Sequence, residues 1–271
     1  MTTRSNSSAI DNPGQAGYVS VDDLKLYYEI HGSGRPLLLL HGGLMTIDTL
    51  GPILPALAQT RQVIAVELEG HGHTADLERP LRYAQMAEDV ANLLGQLGRR
   101  PVDILGYSLG GTVSLHLALR HPALVRKLVV ASAPYSQDGF YPGVIAAWAN
   151  LSAERFAGTA VAAAYARSAP DPRHFPIFVA KMKQALIAFE DLAPADIQSI
   201  TAPTLFVLGD ADIVRPEYAL EMFRLLGGGG GAASAQLAVL PGTNHLELIG
   251  RVDLLLPILL PFLDAPLAEA S

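Results

Sequence analysis

The sequence contains no cysteine, which excludes several kinds of site before any motif is considered. Without thiols the chain can form no disulfide framework, no thiolate metal site and no cysteine nucleophile. Positive charge is also scarce, since 19 lysines and arginines stand against 26 acidic residues, for a net charge of −7. Nucleic-acid-binding proteins usually carry a basic patch, and only two short basic doublets occur here, Arg99-Arg100 and Arg126-Lys127. We therefore expect neither nucleic acid nor an anionic membrane as a partner.

Long hydrophobic runs are absent as well. No window reaches the roughly 18 consecutive apolar residues that a membrane-spanning helix needs. The best candidate, residues 254–263, is too short and contains Pro257 and Pro261. Residues 1–17 are polar and lack the apolar core of a secretory signal. These features predict a cytoplasmic protein with a flexible tail over residues 1–16, and they leave open whether it is a monomer or a homodimer.

Short apolar runs do recur, and helical patterns separate them. Two partly alternating segments, 17–21 and 24–30, are followed by apolar runs at 37–40, 62–68, 102–105, 128–131, 204–208 and 236–240. Helical patterns fall at 49–59, 83–97, 109–120 and 217–226. Continuous apolar runs suit strands that are buried on both faces, and their alternation with helices indicates βαβ units. We predict an α/β fold with an eight-stranded, mostly parallel sheet flanked by helices and an antiparallel edge formed by the first strands.

The alternation stops between residues 134 and 202. This stretch has a helical composition, is rich in aromatic residues and lies between two predicted sheet strands. We predict a helical cap over residues 135–202, inserted into a core made of residues 17–134 and 203–271. The aromatic residues belong either to the small core of the cap or to a substrate pocket. As candidate substrate contacts we take Tyr135, Tyr141 and Trp148 from the cap, with Leu44 and Tyr107 from the core.

The strongest motif is Gly106-Tyr107-Ser108-Leu109-Gly110, which matches G-x-S-x-G. It follows a predicted strand and precedes a predicted helix, which is the context of a nucleophile elbow. Glycines on both sides leave room for the sharp turn that exposes the serine hydroxyl. The alternative is a plain strand-to-helix turn whose serine caps the helix. We predict that Ser108 is a nucleophile.

A serine hydroxyl needs a base within hydrogen-bond reach, and the base needs an orienting partner. His245 follows the last predicted strand, at the strand ends where such sites form, whereas His174 lies in the insertion. Asp210 and Asp212 both follow the strand at 204–208. We predict His245 as the base and Asp212 as the acid, and we expect Asp210 to stabilise its own turn.

The mechanism also needs N–H groups that stabilise the oxyanion of the transition state. We predict the main-chain N–H of Leu109 as one donor and that of Gly43 as the other, with Leu44 as the next choice. His41, in the same loop, is expected to have a structural role. His71 and His73 lie in a glycine-rich loop without carboxylates at helical spacing, so we expect no metal site and no cofactor.

From about residue 17 to 263 the chain resembles the α/β-hydrolase fold superfamily. The motifs that carry the resemblance, in the order and spacing of the family, are His41-Gly42-Gly43, Gly70-His71-Gly72, residues 106–110, residues 209–212 with Pro216, and Gly242-Thr243-Asn244-His245. In the family pattern the acid maps onto Asp212. Some members place it after the preceding strand, where this chain has Ala131-Ser132-Ala133-Pro134 and no carboxylate. The family order of serine, acid and histidine agrees with this assignment.

The resemblance also bears on the reaction. A serine at the elbow argues against haloalkane dehalogenases and epoxide hydrolases, which use an aspartate there. The chain looks most like small esterases, enol-lactonases and cofactor-free haloperoxidase-like members, although Glu67 and Thr74 depart from the usual residues. We expect cleavage of a small carboxylic ester or lactone. The alternatives are a carbon–carbon bond hydrolase or perhydrolase with the same triad, or a non-catalytic receptor that retains the pocket.

Overall fold

Eight strands form one twisted sheet in the part of the chain that the computed structural model describes, residues 14–229 and 235–267. They are β1 (Gln15–Val21), β2 (Leu24–His31), β3 (Arg35–Leu40), β4 (Arg61–Glu67), β5 (Val102–Tyr107), β6 (Val125–Ala131), β7 (Thr204–Ala211) and β8 (Ala235–Asn244). Their order is β1-β2-β4-β3-β5-β6-β7-β8. β2 pairs antiparallel with both β1 and β4, and all other pairs are parallel. The predicted sheet and its antiparallel edge are thus confirmed.

The central strands are buried on both faces, as their continuous apolar runs predicted. In β3, Leu38 and Leu40 face one hydrophobic core while Leu37 and Leu39 face the other. This division follows from the period of two along a strand. Because β3, β5, β6, β7 and β8 run parallel, their carboxyl ends meet at one edge of the sheet.

Helices cover both faces of the sheet. The described residues contain α1 (Ile53–Ala58), α2 (Tyr83–Gln96), α3 (Leu109–Arg120), α4 (Pro142–Ala149), α5 (Ala160–Ser168), α6 (Phe175–Ile187), α7 (Pro194–Ser199), α8 (Pro216–Leu225) and α9 (Val252–Asp264). Apolar residues of α2, α3 and α8 pack in the core beneath Leu38 and Leu40, and those of α1 and α9 pack in the other core. None of these helices is long and apolar enough to span a membrane.

The helix α9 was not predicted, because Pro257 and Pro261 interrupt its sequence. Both prolines lie on the exposed side of the helix, so the main-chain oxygens of Asp253 and Pro257, which lose their helical N–H donors, lie on the side that faces solvent. The opposite side buries Leu255, Leu259, Phe262 and Leu263. At the helix end, the buried ammonium of Lys127 donates to the main-chain oxygens of Phe262 and Ala265, each at 2.5 Å. Packing and this cap therefore offset the unfavourable propensity.

The insertion between β6 and β7 carries α4 to α7. Its aromatic side chains pack largely on one another, and Tyr165 and Phe178 stack with ring centres 5.2 Å apart. Buried Asp76, in the loop after β4, binds both His174 and Lys181 and so ties the start of α6 to the sheet domain. At the amino end β1 begins at Gln15, inside the tail predicted over residues 1–16. Residues 1–13 of that tail lie outside the described part of the chain.

Candidate active site

Ser108 lies between β5 and α3, at the edge where the parallel strands end. Its backbone has φ 52° and ψ −117°, a left-handed conformation that is unfavourable for a residue with a side chain. The turn is tight, because a Cβ atom on Gly106 would overlap the main-chain oxygen of Gly110. Such strain costs about 1–3 kcal/mol and is characteristic of functional sites. At this turn Ser108 is partly exposed.

A row of hydrogen bonds connects Ser108 to a histidine and an aspartate from two other loops. His245 Nε2 lies 3.0 Å from Ser108 Oγ, and His245 Nδ1 lies 2.9 Å from Asp212 Oδ1. The imidazole is 11 % exposed and the carboxylate is fully buried. Three residues spread over 137 positions of the sequence thus come together at the strand ends. The other candidate base, His174, instead binds Asp76 Oδ2 at 2.6 Å.

The Asp212 carboxylate is saturated with hydrogen bonds. Besides His245, it accepts from the hydroxyl of Ser132 at 2.5 Å and from the N–H groups of Val214 at 3.1 Å and Gly209 at 3.3 Å. Burial raises the pKa of Asp212, but the bond to His245, its charge, and the bonds from Ser132 and Val214 outweigh it. The pKa of Asp212 therefore lies below its ordinary value, and the group is ionised at neutral pH.

Ser132 is a residue that the sequence analysis did not assign to the site. It follows β6 with a positive φ of 52° and is buried, so its hydroxyl has a fixed direction. A signal was present, because residue 132 occupies the strand end where some family members carry the acid. In this chain that position supplies a hydrogen-bond donor to Asp212 rather than a carboxylate.

Asp210 lies two residues from Asp212 but has a different environment. It is exposed, and its carboxylate accepts from the N–H groups of Gly242 at 3.0 Å and Thr243 at 3.1 Å. These bonds keep the pKa of Asp210 below its ordinary value. We expected Asp210 to stabilise its own turn, and its carboxylate does interact with the N–H groups of Asp210 and Ala211. Its larger interactions, however, hold the neighbouring loop that leads to His245.

Two main-chain N–H groups near Ser108 have no acceptor in the part of the chain that the structure describes. Within residues 14–229 and 235–267, neither the N–H of Gly43 nor that of Leu109 has a hydrogen-bond partner. The two residues are close, since a Cβ atom on Gly43 would lie 3.9 Å from Leu109 Cβ. Leu44, the other candidate donor, has φ 62° and gives its N–H to His71 Nε2 at 3.1 Å. Its N–H is therefore engaged elsewhere.

The histidines of the surrounding loops are bonded to the protein. His41 Nε2 accepts the N–H of Leu68 and His71 Nε2 that of Leu44, so each ring carries its proton on Nδ1 and donates to a main-chain oxygen. Burial lowers the pKa of both rings, and for His71 the neighbouring His41 lowers it further. His73 binds the buried carboxylate of Glu67 through Nδ1 at 2.9 Å. Both rings, His41 and His71, thus hold the loop beside Ser108 in place.

The five candidate substrate contacts occupy different surroundings. Tyr107 is buried, and its hydroxyl bonds the main-chain oxygen of His245. Tyr135 is buried against Tyr218 and donates to Glu221 at 2.9 Å, on α8. Tyr141 is 44 % exposed, and Trp148 packs edge-on against Phe140 with ring centres 4.6 Å apart. Leu44 is half-buried, in the loop after β3.

Two residues of α6 that the sequence analysis did not assign contact the loops near Ser108. Buried Met182, on α6, would touch a Cβ atom on Gly43 at 3.0 Å. Phe178, one turn earlier, packs edge-on against His71 with ring centres 4.8 Å apart. The helical periodicity of α6 could have indicated an inward face, but nothing in the sequence fixes where this insertion packs on the sheet domain.

The order of the strands, the strained turn at Ser108 and the hydrogen-bonded row of Ser108, His245 and Asp212 are together typical of one class of protein. Residues 35–171 match the sequence profile of the α/β hydrolase fold family, and the chain belongs to that family.

Three relatives illustrate the range of similarity. The pimeloyl-[acyl-carrier protein] methyl ester esterase of Vibrio cholerae is 32 % identical over 239 residues, which cover 82 % of this chain and 86 % of that protein. A candidate carbamate hydrolase, RutD, of Azorhizobium caulinodans is 35 % identical over 123 residues, which cover 45 % of this chain and 46 % of that protein. The enol-lactonase of Burkholderia xenovorans LB400 superposes with a TM-score of 0.70 at 19 % identity, covering 92 % of this chain and all of that one, and shows a shared fold.

Proposed function

We propose that this chain is a serine hydrolase that cleaves a carboxylic ester or lactone through an acyl-enzyme on Ser108. The observation that carries the proposal is the hydrogen-bonded row from Ser108 through His245 to Asp212, beside two N–H groups that have no acceptor among the described residues. The serine, the histidine, the aspartate and the two N–H groups each have a chemical role that the others cannot fill.

In the first step Ser108 Oγ attacks the substrate carbonyl while His245 Nε2 takes its proton. The ionised carboxylate of Asp212 keeps the proton of the neutral imidazole on Nδ1 and stabilises the imidazolium that forms. Negative charge develops on the carbonyl oxygen, and the N–H groups of Gly43 and Leu109 donate to it. The leaving alcohol takes the proton from His245. Water, deprotonated by the same imidazole, then hydrolyses the acyl-enzyme and restores Ser108.

Two observations favour an ester with an apolar acyl group as the substrate. The relative from Vibrio cholerae, named for the hydrolysis of a methyl ester, favours an ester. The apolar side chains of Met182 and Leu109 beside Gly43 favour an acyl group that is itself apolar. Among the residues predicted to contact substrate, Leu44, Tyr141 and Trp148 remain proposed contacts, whereas the hydroxyls of Tyr107 and Tyr135 are engaged by protein groups.

The test is hydrolysis of p-nitrophenyl esters with two to twelve acyl carbons by the wild-type protein and by Ser108→Ala in parallel. We expect turnover by the wild type and none by the variant, which should keep the wild-type circular dichroism spectrum. The chain length with the highest kcat/KM would measure the acyl pocket. Equal turnover by both proteins would refute Ser108 as the nucleophile.

Other substrate classes are separated by the same pair of proteins. Turnover of lactones but not of esters, lost in Ser108→Ala, would specify the substrate as a lactone. Turnover of a vinylogous diketone would indicate carbon–carbon bond hydrolysis, and peracid formation with hydrogen peroxide would indicate a perhydrolase. Tight ligand binding without turnover, unchanged in Ser108→Ala, would indicate a receptor and contradict the proposal.

A further inference from the structure

Tyr107 immediately precedes the proposed nucleophile, and its side chain reaches the loop that carries the proposed base. Its ring is 2 % exposed and lies with its centre 5.4 Å from that of the His245 imidazole. The hydroxyl donates to the main-chain oxygen of His245 at 2.5 Å. One buried side chain therefore joins the two residues whose side chains must stay within hydrogen-bond reach of each other.

The Tyr107 ring also contacts the loop of the proposed oxyanion donors. A Cβ atom on Gly42 would lie only 3.0 Å from Tyr107 Cε1 and 3.0 Å from Met45 Sδ. Glycine at this position thus allows the loop to lie directly against the ring. Gly42 is the neighbour of Gly43, so the ring contacts both the loop of the proposed oxyanion donors and the loop of His245.

The hydroxyl of Tyr107 remains a donor at every pH at which such a protein would work. Burial raises the pKa of Tyr107 above its ordinary value, and the negative charge of Asp212 raises it further. A main-chain oxygen can only accept, so the direction of this hydrogen bond is fixed.

We infer that Tyr107 is a positioning residue, whose buried hydroxyl holds the main chain of His245 at the distance from Ser108 that proton transfer requires. This inference rests on the proposed function. It differs from our sequence-based interpretation of Tyr107 as a substrate contact, because the hydroxyl is bonded to protein rather than directed at a ligand. A positioning residue affects the chemical step, whereas a substrate contact affects binding.

Tyr107→Phe removes only the hydroxyl and provides the test. Tyr83→Phe is a matched control, since Tyr83 is also 2 % exposed and donates to a main-chain oxygen, that of Ala185, at 3.0 Å. We expect Tyr107→Phe to lower kcat about tenfold and to leave KM within about twofold, in line with the loss of one buried hydrogen bond. Tyr83→Phe should lose similar thermal stability and keep the wild-type kcat.

A second readout does not depend on the substrate. Fluorophosphonate probes react covalently with activated serines, and the labelling rate of Ser108 should fall about tenfold in Tyr107→Phe but not in Tyr83→Phe. A raised KM with unchanged kcat, an unchanged labelling rate, or an equal loss in Tyr83→Phe would overturn the positioning role. Absence of labelling together with absence of both ester and lactone turnover in the wild type would instead refute the proposed function itself.

Discussion

Asp210 and Asp212 give a sharp test, because they lie two residues apart and only Asp212 contacts His245. Replacing Asp212 with asparagine exchanges one carboxylate oxygen for an amide nitrogen. At the Oδ1 position that nitrogen would face the N–H of Val214, and at the Oδ2 position it would face the N–H of Gly209. Neither main-chain donor can rotate away, so every orientation of the amide leaves a donor without an acceptor.

The expected loss in Asp212→Asn follows from the missing charge as well. An asparagine can neither stabilise the imidazolium nor reliably hold the Nδ1 proton, and in serine proteases this exchange lowers kcat by about 10⁴. We expect a loss of about 10³–10⁴ in kcat here, measured on the best p-nitrophenyl ester. Asp210→Asn is the control, since it keeps one acceptor for the N–H groups of Gly242 and Thr243 and should retain kcat within about threefold.

Both variants must first be shown to be folded, by circular dichroism and thermal unfolding. A loss of kcat in Asp210→Asn equal to or larger than that in Asp212→Asn would show that Asp212 is not the acid. Retention of more than about a tenth of kcat in Asp212→Asn would contradict the role of the charge.

Three further predictions follow from the contacts of Ser132, Lys127 and Asp76. Ser132→Ala should lower the free energy of unfolding by about 1.5 kcal/mol at pH 7, because it removes a hydrogen bond to the ionised carboxylate of Asp212. The hydroxyl lowers the pKa of Asp212, so urea titrations should show the difference between variant and wild type shrinking as the pH falls below about 4. A difference that does not change with pH would contradict this reasoning. Lys127→Met leaves the main-chain oxygens of Phe262 and Ala265 without their donor and should lower the free energy of unfolding by about 1–3 kcal/mol. An unchanged urea midpoint would show that Lys127 does not cap α9. Asp76→Asn weakens the contacts to His174 and Lys181, so amide hydrogen exchange should become faster in α6 and not in β5. Unchanged protection of α6 would show that Asp76 does not hold this helix on the sheet domain.

Much of the fold could be predicted from the sequence because buried parallel strands leave an unambiguous signal. The runs at 37–40 and 128–131 are apolar at every position, and the structure buries them on both faces. The limits of α3, Leu109–Arg120, also agree with the predicted range, since the elbow glycines mark its start. The α9 helix was missed because propensity rules penalise Pro257 and Pro261, whereas tertiary packing and Lys127 decided the outcome.

The site was predictable only in part. Ser108, Asp212 and His245 could be selected because a strand end, a motif and the family order pointed to each of them. For Ser132 the sequence offered only its place at a strand end, since its contribution depends on a positive φ and on the pairing of β6 with β7. Tyr107 was assigned to the site, but its partner His245 lies 138 positions away, and no local pattern reveals such a contact.

Intact-protein mass spectrometry, during turnover of an ester with slow deacylation, tests the central claim most directly. The account predicts a mass increase equal to one acyl group in the wild type, located by peptide mapping on Ser108, and no increase in Ser108→Ala. Ester turnover without any adduct on Ser108, or an adduct that persists in Ser108→Ala, would contradict it.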